Sequence, residues 1–561
     1  MQGKELFMKE ILNKIIKYKK IIIEIIILIS IGLFSFSVAP KTLQNDTYYT
    51  VSIGNLIMEN GIDMKDHYSW HEDLPYTYPH WLYDVISSII YNKWHWGGIY
   101  VSVCILSILL GISIYLINKK LNKNQIISFA ITIGSMYLLK DYIAARAQLV
   151  TFIIYVWVIY FIEKFLENPK KIQYAIGIIL SSILIANLHV AVWPFLFIIF
   201  LPYIAEYIIC LISDIIIYQK IPIWLNKRAL KKYKNDKTKV AQINEKLNKI
   251  DESNEKRREK RENATPYKIK MKLNKNGKWL ILIIAICALT GFLTPLKTTP
   301  YTYLVKTIQG NTTQNINEHL PLTLITNIPI MCTLVIILSL LIFTKSKIRL
   351  SDLFMIGGLT YLMFKSKRQS TMFVIFGGVI LNRILIETIN IYKLGKISKR
   401  ILGVSTIIII TVLSLFYGNK FINRKKRNQY VNESSYPVKA ADWILENLDV
   451  NNIRLFNEYN YGSYLLFRGI PVFVDSRADL YTPQFNGEKN DDGKYEGKDI
   501  FSDYINTSNI GVYYENKFGE YDITHVLIRK NSKLNMFISR NDKYIELYGD
   551  NNFVFYQRNE D

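Results

Sequence analysis

An acidic residue at the end of a long apolar segment is the first candidate for chemistry in this sequence. Asp46 comes shortly after the apolar segment Ile21–Ala39, within the sequence QNDTYY. A segment of that length can cross a bilayer. Ionisable groups at membrane depth are costly and mark functional sites more often than surface charges do. We therefore expect Asp46 to take part in a reaction or in binding.

Positive side chains occupy two short turns between other apolar segments. Arg146 lies in KDYIAARAQ, and Lys365 and Arg368 lie in FKSKRQ. A lysine or arginine at a helix end commonly extends to water and has no further role. Two such clusters on one face of a protein would, however, form a site for an anion such as phosphate.

Histidines and further acids have similar positions beside the apolar segments. The additional candidates are His80, Asp84, His189, Glu318 and His319. A lone histidine such as His189 is more often a packing partner than a ligand. Acids of a polar loop are usually only solvated, which is the expectation for Asp63, Asp66, Glu72 and Asp73.

The elements that must position these residues are membrane-spanning helices. Half of the 561 residues are apolar, and they are concentrated in blocks about as long as a bilayer-spanning helix. These blocks predict a polytopic α-helical membrane protein with eleven spans, at 20–40, 97–117, 124–140, 147–166, 172–192, 193–218, 279–294, 325–344, 351–364, 370–388 and 401–418. Between the first two spans, the amphipathic stretch 80–96 is predicted to lie along the membrane interface.

Six basic segments predict the orientation of these spans. If the N-terminus is cytoplasmic, all six fall on the cytoplasmic side, as the positive-inside rule requires. They are the N-terminus and the loops 118–124, 167–171, 219–278, 345–349 and 390–400. Residues 220–278 alone carry 20 Lys and Arg against 7 Asp and Glu, more than half of the net charge of +23. Anionic lipid headgroups explain this charge better than nucleic acid does. Its middle part, 234–263, is expected to be a solvated helix or a disordered linker.

The composition changes after the predicted membrane domain, 1–422. A polar linker, 423–435, leads into an extracytoplasmic domain, 436–561, in which short apolar strands alternate with helices. The pattern predicts an α/β fold with helices at 437–447 and 461–467, strands at 453–456, 471–474, 525–528 and 553–556, and a surface loop at 483–498.

One polar cluster follows the second of these strands. It consists of Asp475, Arg477 and Asp479 in FVDSRADLY. Polar residues at the carboxyl end of a strand often bind ligands in α/β domains. An internal Asp–Arg ion pair that orients the loop is the equal alternative.

Several motifs, taken in order, resemble a known superfamily. They are DTYYTVSIGNLIMENGIDMKDHYSW, YPHWLYDVISSIIY, RAQLVTF, ANLH, NEHLP, KSKRQSTMFVIF, YPVKAADWILENL and VFVDSRADLY. Their order is similar to that of the GT-C glycosyltransferases that use polyprenyl-phosphate-linked sugars, in particular a bacterial group like mannosyl- and arabinosyltransferases whose members are largely uncharacterised. The resemblance extends over nearly the whole chain except the basic segment 220–278.

The resemblance implies a multi-pass enzyme of the bacterial plasma membrane. It would transfer a sugar, with inversion, from a polyprenyl-phosphate donor to a glycan, lipid or protein acceptor outside the cytoplasm. In the superfamily an acid of the first outer loop is the general base, and its counterpart here is Asp46. Arg146, Arg368 and Lys365 would bind the donor phosphate. The saccharide acceptor would be the natural ligand of the C-terminal cluster.

The chain departs from the family pattern at one motif. Where the pattern has His-Glu-Trp-Leu, this chain has Pro79-His80-Trp81-Leu82, so the glutamate is absent. Some members use a divalent metal ion, for which His80, Asp84, His189 and Glu318 could supply ligands of mixed nitrogen and oxygen type. The sequence does not choose between metal-dependent and metal-free forms.

Two other classes of function fit parts of this pattern. A transporter or flippase for lipid-linked saccharides would also need cations on the outer face, together with internal repeats, broken helices and charges at the membrane midplane. We find no such repeats, and we identify Glu24 as the one clear charge inside a predicted span. A non-catalytic envelope scaffold is the second alternative. Replacement of Asp46 separates these classes, because only the enzyme would lose activity.

Overall fold

Long apolar helices form most of the chain. The computed structural model describes residues 21–263, 269–325, 327–392 and 396–559. Among these residues, six helices are long and apolar enough to cross a membrane: Ile21–Val38, Trp81–Asn122, Ala147–Glu167, Val190–Ile217, Lys367–Ile391 and Gly403–Lys426. Three shorter apolar helices accompany them, Ile172–Leu188, Gly277–Thr290 and Ile328–Phe343.

The helices up to residue 426 are numbered in chain order. They are α1 (Ile21–Val38), α2 (Asn45–Asn60), α3 (Trp81–Asn122), α4 (Gln125–Leu139), α5 (Ala147–Glu167), α6 (Ile172–Leu188), α7 (Trp193–Ile217), α8 (Lys220–Lys232), α9 (Lys237–Asn263), α10 (Gly277–Thr290), α11 (Thr299–Gln309), α12 (Thr312–Asn315), α13 (Ile328–Phe343), α14 (Leu350–Lys365), α15 (Ser370–Ile391) and α16 (Lys396–Lys426). A helix covers the centre of each of the eleven predicted spans. How many of them cross the bilayer, and in which direction, stays a prediction.

The predicted interfacial stretch 80–96 is the first part of α3. A kink at His95, with φ 51° and ψ −154°, separates it from the rest of that helix. The stretch packs closely on α2. An ideal Cβ at Gly54 would lie 2.1 Å from the backbone oxygen of Asp84, so only glycine permits this approach. The side chain of Asp84 is thereby fully buried.

The basic segment is helical in its described part. Its helices α8 and α9 pack against each other, and the short strand β1 (Ile269–Lys270) pairs in parallel with β2 (Ile348–Arg349). For the middle part, 234–263, the sequence left a helix and a disordered linker as alternatives, and the structure has the helix α9. The N-terminal basic residues 14–20 lie outside the described residues.

The C-terminal part contains a four-stranded sheet with the order β3-β6-β8-β7. The pair β3–β6 is parallel and the other two pairs are antiparallel. The strands are β3 (Leu455–Asn457), β4 (Glu488–Lys489), β5 (Tyr495–Glu496), β6 (His525–Arg529), β7 (Tyr544–Gly549) and β8 (Phe553–Arg558), of which β4 and β5 form a separate hairpin. The helices are α17 (Val438–Asn447), α18 (Tyr459–Phe467), α19 (Pro483–Asn486), α20 (Ile500–Ser508), α21 (Tyr514–Glu520) and α22 (Asn535–Ile538).

The four-stranded sheet differs from the prediction at two places. Residues 471–474 do not form a strand of the sheet. Instead Val472 makes a single β-bridge to Ser69, so the apolar segment joins the loop after α2. Strand β7 was not predicted, because its sequence YIELYG has no simple alternation. Only its first residue, Tyr544, is buried.

The expectation that Glu24 is the one charge inside a span is wrong. Glu163 in α5, Asp352 in α14 and Arg383 in α15 lie within predicted spans and form an ion-pair cluster with Arg349. Glu163 and Asp352 are buried. Each acid contacts both arginines, so the cluster is neutral and its groups are paired. It ties three helices together rather than providing an open site.

Candidate functional site

A cavity of about 1100 Å³ lies between the helical domain and the C-terminal part. Its walls include the starts of α2, α5 and α7, helix α11, the turn between α14 and α15, and loops of the C-terminal part. All but two of the sequence-predicted candidates line it: Asp46, His80, Arg146, His189, Glu318, His319, Lys365, Arg368, Arg477 and Asp479. The exceptions are Asp84 and Asp475, which are buried behind the wall.

Asp46 is held at the cavity by the first turn of α2. Its neighbour Asn45 donates a side-chain hydrogen bond, 2.9 Å long, to the backbone oxygen of Tyr459 at the start of α18. An acidic side chain in the first turn of a helix also interacts favourably with the helix dipole. The start of α2 is therefore fixed to the C-terminal part, with Asp46 facing the cavity.

Arg146 lies between two carboxylates. It precedes α5, and its Nε is 2.8 Å from Oδ2 of Asp46. The Nε–H group does not form an aligned hydrogen bond, so this contact is an ion pair. Its Nη1 donates to both carboxylate oxygens of Glu318, at 2.9 and 3.1 Å. The positive charge of Arg146 is thus already compensated by two acids.

Main-chain hydrogen bonds bring Glu318 and Arg368 together. The backbone N–H of Arg368 donates to the oxygen of Glu318 at 3.0 Å, and that of Lys367 to the oxygen of Leu320 at 2.9 Å. Burial alone would raise the pKa of Glu318, but the guanidinium groups of Arg146 and Arg368 lower it below its ordinary value. Two turns that are distant in sequence therefore form one charged wall.

The cations Arg368 and Lys365 differ from Arg146 in their surroundings. Within the described part of the chain, no carboxylate forms an ion pair with the Arg368 guanidinium. The Lys365 ammonium lies 5.6 Å from the ring centre of Tyr361, and it also has no ion pair there. Beside them, burial and the charge of Arg368 lower the pKa of His319 to about 4. These two cations are available to an anion in the cavity.

The proposed metal ligands do not converge. Nδ1 of His80 is 3.7 Å from Oδ2 of Asp84, and the rings of His80 and His189 are 5.5 Å apart. Glu318 is engaged with Arg146. In the described ranges, no three His, Cys, Asp or Glu side chains stand close enough to hold one metal ion. The residues present therefore do not fit a metal centre.

The C-terminal cluster divides into two parts. Arg477 forms buried ion pairs with Asp475 and with Asp66 of the loop after α2. The side chain of Asp66 is only 1% exposed, so the expectation that it is solvated is wrong. Burial would raise the pKa of Asp66, but the charge of Arg477 and hydrogen bonds from Ser69 and Arg477 lower it. This part connects two segments of the chain.

Asp479 belongs to the cavity wall instead. Its carboxylate accepts hydrogen bonds from Tyr303, Thr307 and Thr312, at 2.7, 3.3 and 3.0 Å. Burial raises the pKa of Asp479, while these three hydrogen bonds act in the opposite direction. Tyr303 and Thr307 could not be predicted from the sequence, because neutral hydroxyl groups on a helix carry no pattern that marks them.

Comparisons with known proteins bear on the fold. No protein-family model matches the chain, and no curated protein matches it. Among solved structures, the archaeal oligosaccharyltransferase AglB from Archaeoglobus fulgidus, in complex with an inhibitory peptide and a dolichol-phosphate, aligns with a TM-score of 0.54. The alignment covers 97% of this chain and 75% of that one, at 11% identity. The chain has a GT-C fold.

A second solved structure gives the same result. It is the Archaeoglobus fulgidus oligosaccharyltransferase tethered by a disulfide to an acceptor peptide that contains the sequon NVT. It covers 95% of this chain and 74% of its own length, with a TM-score of 0.50 and 12% identity. At such identity the match establishes the GT-C fold of this membrane-embedded chain and leaves its activity to the site itself.

Proposed function

We propose that this GT-C chain is a membrane glycosyltransferase that transfers a sugar from a polyprenyl-phosphate-linked donor to an extracytoplasmic acceptor. One observation carries the proposal: Asp46, Arg146 and Arg368 line a single cavity. A transporter would also need outer cations, but neither a transporter nor a scaffold gives a reason for a carboxylate to meet two arginines there. The GT-C fold supports the same class of reaction, since lipid phosphate and acceptor peptide are the molecules named with its solved neighbours.

Asp46 is the proposed general base. As an acceptor hydroxyl oxygen attacks the anomeric carbon, the Asp46 carboxylate accepts the hydroxyl proton. The bond between the anomeric carbon and the phosphate oxygen breaks, and its electron pair leaves with the lipid phosphate. A single displacement of this kind inverts the anomeric centre. The ion pair with Arg146 holds the carboxylate in one orientation.

The three cations have unequal roles in this proposal. Arg368 and Lys365 stabilise the negative charge on the leaving phosphate, because neither is engaged with a carboxylate of the described residues. Arg146 is already shared between Asp46 and Glu318, so its main role is to position the base. No step is assigned to a metal ion, since the residues at the cavity do not form a ligand set.

The acceptor is proposed to enter beside the C-terminal part. Asp479 and its hydroxyl partners face the cavity from that side, and carboxylates and hydroxyls are suitable hydrogen-bonding partners for a saccharide. Arg477 and Asp475 contribute by holding the loop that carries Asp479.

The test is transfer from radiolabelled polyprenyl-phosphate sugars by the full chain in nanodiscs, with isolated envelope material as acceptor. Asp46→Asn should lower the rate ~10²–10⁴-fold, the usual cost of losing a general base. The matched control is Asp141→Asn, whose side chain is 78% exposed and lies outside the cavity. If Asp46→Asn and Asp141→Asn are equally active, or if label crosses the membrane without transfer, the proposal is wrong.

A further inference from the structure

Helix α8 presents an exposed face that combines apolar and basic side chains. Ile221, Trp224 and Leu225 are 59, 56 and 52% exposed. Residues three and four positions apart lie on the same side of a helix, so these three form one apolar strip. Arg228 continues the strip, with its guanidinium carbon 5.5 Å from the ring centre of Trp224.

The opposite side of α8 makes the contact with the rest of the chain. Ile223, Asn226 and Leu230 are half-buried there, and α8 packs on α9. The apolar strip is therefore not used to hold the two helices together. Three large apolar side chains on one solvent-facing strip require a partner, because apolar surface is stabilised by removal from water.

The position of α8 relative to α7 identifies that partner. Phe195 and Ile198, near the start of α7, line the Asp46 cavity. Helix α7 has 25 residues, or ~37 Å at 1.5 Å per residue, which exceeds the ~30 Å of a hydrocarbon core. Its far end carries Ile212 and Ile216, which are 51 and 70% exposed. The apolar strip of α8 begins where this exposed apolar surface ends.

The charge of α8 specifies the chemistry of the lipid. The helix contains Lys220, Lys227, Arg228, Lys231 and Lys232 and no acidic residue. Apolar side chains flanked by lysine and arginine are typical of helices that lie in a membrane interface and prefer anionic lipids. We propose that α8 lies in the membrane surface at the end away from the Asp46 cavity, with its apolar strip among the acyl chains and its cations on the phosphates of anionic lipids.

A spin label at position 224 tests this placement in the full chain. Cys104, Cys210, Cys287 and Cys332 are replaced by Ala, Trp224→Cys is labelled, and the protein is placed in nanodiscs of phosphatidylcholine with phosphatidylglycerol. The label should collide with oxygen, which dissolves in the membrane, and be protected from a water-soluble nickel chelate. Lys246→Cys on exposed α9 is the matched control, and a label there should be open to nickel.

The preference of α8 for anionic lipids is tested by a comparison between nanodiscs of two lipid compositions. Pure phosphatidylcholine nanodiscs should lower the protection at position 224, and Lys227→Gln/Arg228→Gln/Lys231→Gln/Lys232→Gln should abolish the difference between the two lipids. Before these measurements, each variant should have the same unfolding temperature as the parent protein, since substitutions of exposed residues change stability little. Equal nickel access at positions 224 and 246 would overturn the proposal and favour a protein partner. Protection that does not depend on lipid charge would overturn the role of the cations.

Discussion

At the scale of single residues, the cavity distinguishes arginines that look equivalent in the sequence. Arg146 contacts two carboxylates, whereas Arg368 has none of its own among the described residues. The sequence could predict that both would stand near Asp46, because all three end or begin apolar segments on one predicted face. It could not predict the pairing with Glu318, which depends on main-chain contacts between two distant turns.

Replacement of Arg368 should therefore affect the donor most. A hydrogen bond to a charged group contributes ~1.5–3 kcal/mol, so Arg368→Gln should raise the donor KM or lower the rate ~10–150-fold, at tenfold for each ~1.4 kcal/mol. Lys367→Gln is the matched control, because its side chain does not line the cavity. The measurement is initial rate against concentration of the lipid-linked donor. Equal losses in the two variants would contradict a specific role for Arg368.

Two partly buried histidines should make stability depend on pH. The pKa of His319 and that of His71 are each lowered from 6.5 to about 4, in both cases chiefly by burial. Between pH 4 and 6.5 the unfolded chain therefore binds more protons than the folded one, so stability is complete above about 6.5 and falls as the pH is lowered through this window.

This dependence can be measured as the unfolding midpoint in detergent between pH 7 and pH 5. The midpoint should fall, and His71→Gln together with His319→Gln should flatten the slope. His95→Gln, at an exposed residue, is the control and should leave the slope as it is. A slope unchanged in the double variant would show that these two histidines are not the cause.

At the scale of elements, the apolar blocks predicted the helices well, whereas the pattern of short apolar segments predicted the small sheet only in part. Each predicted span contains a helix because a long apolar block leaves the backbone no other way to satisfy its hydrogen bonds in lipid. The error at 471–474 has a different cause. That segment has the apolar composition of a strand, but it pairs with Ser69 rather than with the sheet, and a partner so distant in sequence cannot be read from local pattern.

The ion pairs of Arg477 should stabilise the contact between the loop after α2 and the C-terminal part. Arg477→Gln leaves Asp66 and Asp475 buried without a counter-charge, and breaking a buried pair in this way typically costs ~3–5 kcal/mol. Asp66→Asn should cost less, because Arg477 keeps its contacts with Asp475. Thermal unfolding and limited proteolysis of the C-terminal part measure the loss of stability in each of the two variants. A greater loss in Asp66→Asn would contradict this order.

At the scale of the whole molecule, the charges separate into two ends. The cavity end holds Asp46, Glu318 and the arginines, while the opposite end holds the basic helices α8 and α9. The structure fixes this separation along the helices, since α7 runs from the cavity wall to α8. The side of the membrane that each end faces is predicted by the positive-inside argument from the six basic segments.

Cysteine labelling from outside intact cells tests that orientation. In a chain whose native cysteines are replaced by Ala, Lys249→Cys on α9 and Lys494→Cys beside the hairpin β4–β5 are each treated with a reagent that does not cross membranes. Both positions are exposed, so access depends on the side of the membrane and not on burial. Lys494→Cys should react from outside, and Lys249→Cys should react only after the cells are opened. Labelling of Lys249→Cys in intact cells would reverse the topology and would place the Asp46 cavity on the cytoplasmic side, where an extracytoplasmic acceptor could not reach it.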